Sequence, residues 1–156
     1  MEAKQGVLEH LNKILTGELT AVHQYVAHAA MCENWGYERL HHALQERAHD
    51  ELDHARSLVE HILYLDGTPD LQTVNPLTIG QTVPEQFQHD LVLEMEVLTL
   101  LRAAIAHCTQ VGDFTTRHKL EDLCVETEEH IDWLETQQET IKQVGLENYL
   151  SEQIKK

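Results

Sequence analysis

Asp66-Gly67-Thr68-Pro69-Asp70-Leu71-Gln72-Thr73-Val74-Asn75-Pro76-Leu77-Thr78-Ile79-Gly80-Gln81-Thr82-Val83 is the one long stretch without helical period. It also gathers all three prolines, Pro69, Pro76 and Pro84, in or beside it. On both sides the apolar residues fall into helical register. Upstream, Leu8, Leu11, Leu15, Leu19, Val22, Val26 and Ala29 recur at steps of three and four, predicting a helix from about Lys4 to Asn34. Asn34-Trp35-Gly36-Tyr37 breaks it. Leu40, Leu44, Ala48, Ala55, Leu58, Ile62 and Leu65 predict a second helix, ended by Asp66-Gly67-Thr68-Pro69. Downstream, Thr82-Val83-Pro84-Glu85 is a capping-box start with proline in the first turn. Phe87, Leu91, Leu98, Leu101 and Ile105 continue that third helix towards Gly112. Leu120, Leu123, Leu134, Ile141 and Val144 make a fourth, ending at Gly145, and Leu146 to Ile154 suits one short further helix. The first and third connections are only a few residues, so each joins antiparallel neighbours. The middle one, at ~3.3 Å per residue, crosses ~40 Å or more, about the length of the helices it links. The expected fold is all-α: a four-helix bundle with one long crossover and a short fifth helix, in a single domain over residues 1–156.

The formal net charge of -16 repels phosphates, which argues against nucleic acid and anionic membranes as partners and suits cations. No apolar run approaches the ~20 residues that span a bilayer. Met1-Glu2-Ala3-Lys4-Gln5 lacks the apolar stretch of a signal peptide. Cys32, Cys108 and Cys124 are odd in number and unrelated in spacing, which fits small buried side chains in a reducing cytoplasm rather than a disulfide framework.

Three acids interrupt the apolar columns. Glu18 lies between Leu11 and Tyr25, Glu51 between Leu44 and Leu58, and Glu94 between Phe87 and Leu101, each seven residues from both neighbours. Each therefore faces inward, on three of the four helices and near one level. Glu51-Leu52-Asp53-His54 adds an imidazole one turn on, and the fourth helix offers His130. Isolated ionised carboxylates in an apolar interior cost far more than a domain's net stability, so something must neutralise them. Arg47 is the main basic residue near these columns. A divalent cation is the better answer, and carboxylate with imidazole suits iron, manganese or zinc.

The chain resembles the bacterioferritins of the ferritin-like family along essentially its whole length. The resemblance is carried by Leu11-Asn12-Lys13, Gly17-Glu18-Leu19, Gln24-Tyr25, Asn34-Trp35-Gly36, Asp50-Glu51, His54-Ala55, Ile79-Gly80, Asp90-Leu91 and Leu93-Glu94. It continues through His130-Ile131-Asp132-Trp133-Leu134-Glu135-Thr136 and Gly145-Leu146-Glu147-Asn148-Tyr149-Leu150. What it implies is a subunit of a hollow 24-subunit shell that oxidises Fe(II) with O2 or peroxide and stores a ferric mineral. The implied di-iron ligands are Glu18, Glu51, His54, Glu94 and His130, with Tyr25 beside them. The resemblance further implies haem, held between two subunits by a methionine from each.

Two positions depart from that pattern. Thr127 stands where the second bridging carboxylate belongs, in the column of Leu120, Leu134 and Ile141. Four carboxylates balance two Fe(II) ions; three leave an excess positive charge, so one metal is expected to bind weakly or not at all. Glu126 and Glu128 point about 100° to either side. Glu126, four residues from His130, is the better substitute of the two. Leu52 replaces the haem methionine and has no lone pair, and His23, Gln45 and His49 add polarity at or near the pocket, so haem is expected to be absent; His49 is the one candidate to replace the missing ligand. The expectation is a cytoplasmic iron-storage subunit with non-haem iron and weakened ferroxidase activity, in a homo-oligomer or a mixed shell with a second bacterioferritin-like chain. Glu46 and Asp50 are expected to face the cavity. The alternatives are a competent ferroxidase using Glu126 or water, and a shell buffering another metal such as zinc.

Overall fold

The computed structural model describes residues 1–155. Five helices follow in order: α1 (Val7–Asn34), α2 (Glu38–Tyr64), α3 (Val83–Val111), α4 (Phe114–Val144) and α5 (Leu146–Gln153), with no strand among the described residues. Boundaries expected from periodicity hold except at the start, where α1 begins at Val7 rather than Lys4. Gly6 takes φ 80, a left-handed conformation that cannot continue a right-handed helix. At the other end of the crossover, the Thr82 hydroxyl accepts from Glu85 N and Glu85 Oε2 accepts from Gln81 N, fixing where α3 starts.

The crossover is fastened to α1 by side chains that climb it in step. Asn12 Oδ1 accepts from Asp70 N at 2.8 Å, Thr20 Oγ1 from Asn75 N at 3.0 Å, Gln24 Oε1 from Thr78 N at 3.3 Å and His28 Nε2 from Gly80 N at 3.0 Å. Both segments thus run in the same direction, so α2 and α3 are parallel although each is antiparallel to its hairpin partner. Asp90 completes the fastening from α3, its Oδ1 accepting from Gln24 Nε2 and His28 Nδ1, both at 2.9 Å. Gly80 is required where the crossover meets α3: a Cβ there would lie 2.4 Å from Gln86 N.

The core divides in two. One apolar cluster holds Leu11, Ile14, Leu58, Ile62, Leu101 and Leu120, and the other holds Tyr25, Leu40, Leu44, Phe87 and Leu134. Each fully buried aliphatic or aromatic side chain contributes roughly 1.5–3 kcal/mol. On every long helix the break between the clusters falls where Glu18, Glu51, Glu94 and Thr127 stand. The apolar seam of α1 is broader than the core it feeds. Val26, expected inward, is half-exposed beside Leu52 on the outer face of the α1–α2 hairpin.

Candidate metal centre

All five expected polar residues are buried at this break: Glu18, Glu51, His54, Glu94 and His130 are each at most 4% exposed. They form two sets that share Glu51. In the first, Glu18, Glu51 and His54 each place a ligand atom within 4.8 Å of the others; in the second, Glu51, Glu94 and His130 do the same. His54 Nδ1 lies 3.1 Å from Glu18 Oε2 and 3.4 Å from Glu51 Oε2. His130 Nδ1 lies 2.9 Å from Glu51 Oε1 and 3.4 Å from Glu94 Oε1. The two imidazoles stack nearly parallel, ring centres 6.2 Å apart. Tyr25 joins the second set, its hydroxyl donating to Glu94 Oε1 at 2.8 Å.

Protons neutralise the site. Burial and the neighbouring Glu51 push Glu18 well above the usual carboxylate range and Glu94 up to about 8. Burial acts on Glu51 in the same sense, but hydrogen bonds from Glu18, His130 and His54 outweigh it and hold Glu51 well below that range. Burial disfavours both imidazolium ions, yet bonds to the carboxylates win, raising His54 to about 12 and His130 to about 9. The carboxylates and imidazoles therefore hold protons at positions where cations fit. Glu18 Oε1 is buried with no hydrogen-bond partner. Such an orphan is costly in a dry interior and is the kind of atom a metal satisfies. Once those protons leave, carboxylate oxygens converging with imidazole nitrogens on each side suit iron, so the residues present fit the group.

Thr127 does not fill the place of a fourth carboxylate. Its hydroxyl donates to Leu123 O at 2.8 Å, turned onto its own helix. Glu126, the expected substitute, is directed elsewhere in this structure. α4 is continuous through this turn, and the Glu126 carboxylate meets Nε2 of His54, the ring nitrogen facing away from the cluster. Asp50, expected to face the cavity, has the matching position on the other imidazole, Oδ2 lying 3.4 Å from His130 Nε2. With Nε2 occupied from outside, each ring presents Nδ1 to the centre; such outer partners fix tautomer and ring orientation. Sequence reading missed this pair of roles, although Asp50 adjoins Glu51 and Glu126 stands one helical turn before His130. Arg47 plays no part in neutralising the acids. It extends over the Trp133 ring and towards Asp50.

Leu52 is 45% exposed on the outer face of α2, with His49 and Gln45 along the same concavity. His41 also lines it, its Nε2 paired to Glu33 at 2.7 Å. His23 does not: it is exposed, with Nδ1 against Leu19 O. Among the described residues no helix is long and apolar enough to cross a membrane.

Comparison with known proteins agrees with this architecture. The ferritin-like domain matches residues 8–144. A protein named bacterial ferritin from Synechocystis sp. is 43% identical over 99% of both chains. A bacterial ferritin from Pseudomonas aeruginosa is 42% identical over 99% of this chain and all of its own length. A bacterioferritin from Mycobacterium leprae is 42% identical over 96% of this chain and 94% of its own. Fold, buried centre and near full-length similarity agree, and the chain belongs to the ferritin-like family, among the bacterioferritins.

Proposed function

We propose that this chain is an iron-storage subunit of a bacterioferritin-type shell, taking Fe(II) as its substrate at the buried centre and passing ferric iron to a mineral core. The observation that carries the reading is the convergence of three carboxylates and two imidazoles at one level of an otherwise apolar bundle, with Glu18 Oε1 unpartnered. Glu18 and His54 hold one side, Glu94 and His130 the other, and Glu51 serves both. Bound iron would supply the redox chemistry. The residues supply charge, geometry and proton release: for a metal to enter, the protons on Nδ1 of His54 and His130 and those raised by burial on Glu18 and Glu94 must leave. Glu126 and Asp50 keep the opposite ring nitrogens occupied while this happens.

Thr127 limits the chemistry. Three carboxylates over-neutralise one divalent ion and under-neutralise two, and the uncompensated charge lies in a low-dielectric site. The first ion binds well and the second weakly, so oxidation by a pair of ions is slowed. The free Glu18 oxygen favours the Glu18–Glu51–His54 side for the first ion. Tyr25 already occupies part of Glu94. The geometry of Glu126, on the outer nitrogen of His54, speaks against its rescuing full activity as a ligand.

Haem does not fit this chain in the family's manner. Leu52 has no donor atom, and Gln45, His41 and His49 place polar groups along the otherwise largely apolar concavity around it. Such a shell works either as a homo-oligomer of modest activity or with a second bacterioferritin-like chain whose centre is complete. The purified homopolymer tests the reading. Slow Fe(II) oxidation, with iron retained as a ferric core and no Soret band, is expected. Rapid oxidation at two Fe(II) per chain would contradict the role given to Thr127, and failure to bind Fe(II) at all would overturn the function.

A further inference from the structure

We propose that His10 and His107 form a second metal site on each chain, for a borderline divalent ion such as Zn(II), outside the carboxylate centre. His10 lies on the first turn of α1, eight residues or about 12 Å of helix before Glu18. His107 lies near the end of α3, just before its last turn. Their ring centres lie 4.8 Å apart, with the ring planes tilted by 33°. With Zn–N bonds of ~2.0–2.1 Å, two imidazoles on one tetrahedral ion stand about 5 Å apart, so this spacing needs little adjustment.

Four further features prepare the pair. His107 Nε2 donates to Gln5 O at 2.6 Å, which leaves the Nδ1 lone pair of that ring free. A backbone carbonyl on the opposite nitrogen is the usual companion of a metal-binding histidine. Gly6 makes the approach possible: at φ 80 it carries no Cβ, and a Cβ there would lie 2.6 Å from His107 Nε2. Both rings are only half-buried, so solvent ions reach them. Burial, then His107 and then Lys13 lower the pKa of His10, which keeps it neutral and able to donate a lone pair at neutral pH. Two neutral imidazoles with water in the remaining positions favour Zn(II), Ni(II) or Cu(II) over Mg(II) or Ca(II).

The inference is independent of the iron-storage reading. Its test is the Zn(II) content per chain of the assembled protein at equilibrium, for the wild type, His10→Phe, His107→Phe and Glu51→Ala. Phenylalanine keeps the ring-on-ring packing and removes the donor atoms. Each Phe variant is expected to bind one Zn(II) per chain fewer than wild type, with Fe(II) oxidation unchanged. Glu51→Ala is expected to lose ions of the carboxylate centre yet keep the histidine-bound one. Equal Zn(II) content in wild type and both Phe variants would overturn the proposal. If loss of the Gln5 bond stops His107→Phe from folding, His10→Phe carries the same comparison, since His10 makes only its backbone bond to Gly6.

Discussion

The two helical hairpins bring nearly the same equipment to the centre, and the one difference separates them chemically. The α1–α2 hairpin contributes Glu18 and Glu51-x-x-His54; the α3–α4 hairpin contributes Glu94 and Thr127-x-x-His130. Both imidazoles turn Nδ1 inward and meet a carboxylate on Nε2, and Glu18 and Glu94 are both buried. Only the shared position differs, being a carboxylate on α2 and a hydroxyl folded back onto its own helix on α4. Fold and ligand orientation thus survive the loss of one acid, because they are set by apolar packing and outer hydrogen bonds. Charge balance does not survive it.

That contrast can be broken most severely at the residue both sides use. Glu51→Ala should abolish paired binding and weaken the remaining ion by more than the ~10–100-fold typical of losing an outer partner. Calorimetric titration with Co(II) under anaerobic conditions measures it, and retention of tight binding would break the account. Thr127→Glu should restore symmetry, raising Fe(II) oxidation by about 10-fold or more and moving stoichiometry from one ion to two. Stopped-flow absorbance reads the rate, and an unchanged rate would mean that charge is not what limits the second ion.

Smaller effects separate the two sides. Glu126→Gln should weaken the first ion by roughly 10-fold, whereas Asp50→Asn, acting on the His130 side, should do less to it. Equal losses would show that the outer partners do not distinguish the sides. The mildest test is pH. His130, raised to about 9, and Glu94, raised to about 8, stabilise the fold most fully below their unfolded values, and that contribution is lost as pH rises through the folded ones. Metal-free protein should therefore melt lower at pH 9 than at pH 7. The metal-loaded form, its ligands already deprotonated, should show little such decline; parallel behaviour of the two forms would count against proton-for-metal exchange.

Much of this was legible in the chain. Inward acids show because an apolar column seven residues deep makes a charge conspicuous, and the crossover shows because prolines and missing period coincide. Thr127 shows because it sits in the column of Leu120, Leu134 and Ile141 where the family resemblance implies a carboxylate. Less legible were features that depend on which face of a helix meets what. The α1 apolar seam does not say that Val26 stays half-exposed while Tyr25 is buried. Asn12, Thr20, Gln24 and His28 read as ordinary polar interruptions, yet they hold the crossover in place. Asp50 reads as a cavity-facing acid and Glu126 as a substitute ligand, because their partners, His130 and His54, lie 80 and 72 residues away.

The most direct measurement is anomalous diffraction from crystals soaked anaerobically in Fe(II). One strong peak among Glu18, Glu51 and His54, with weak or no density between Glu94 and His130, is the predicted result. Two peaks of equal height on either side of Glu51 would contradict it.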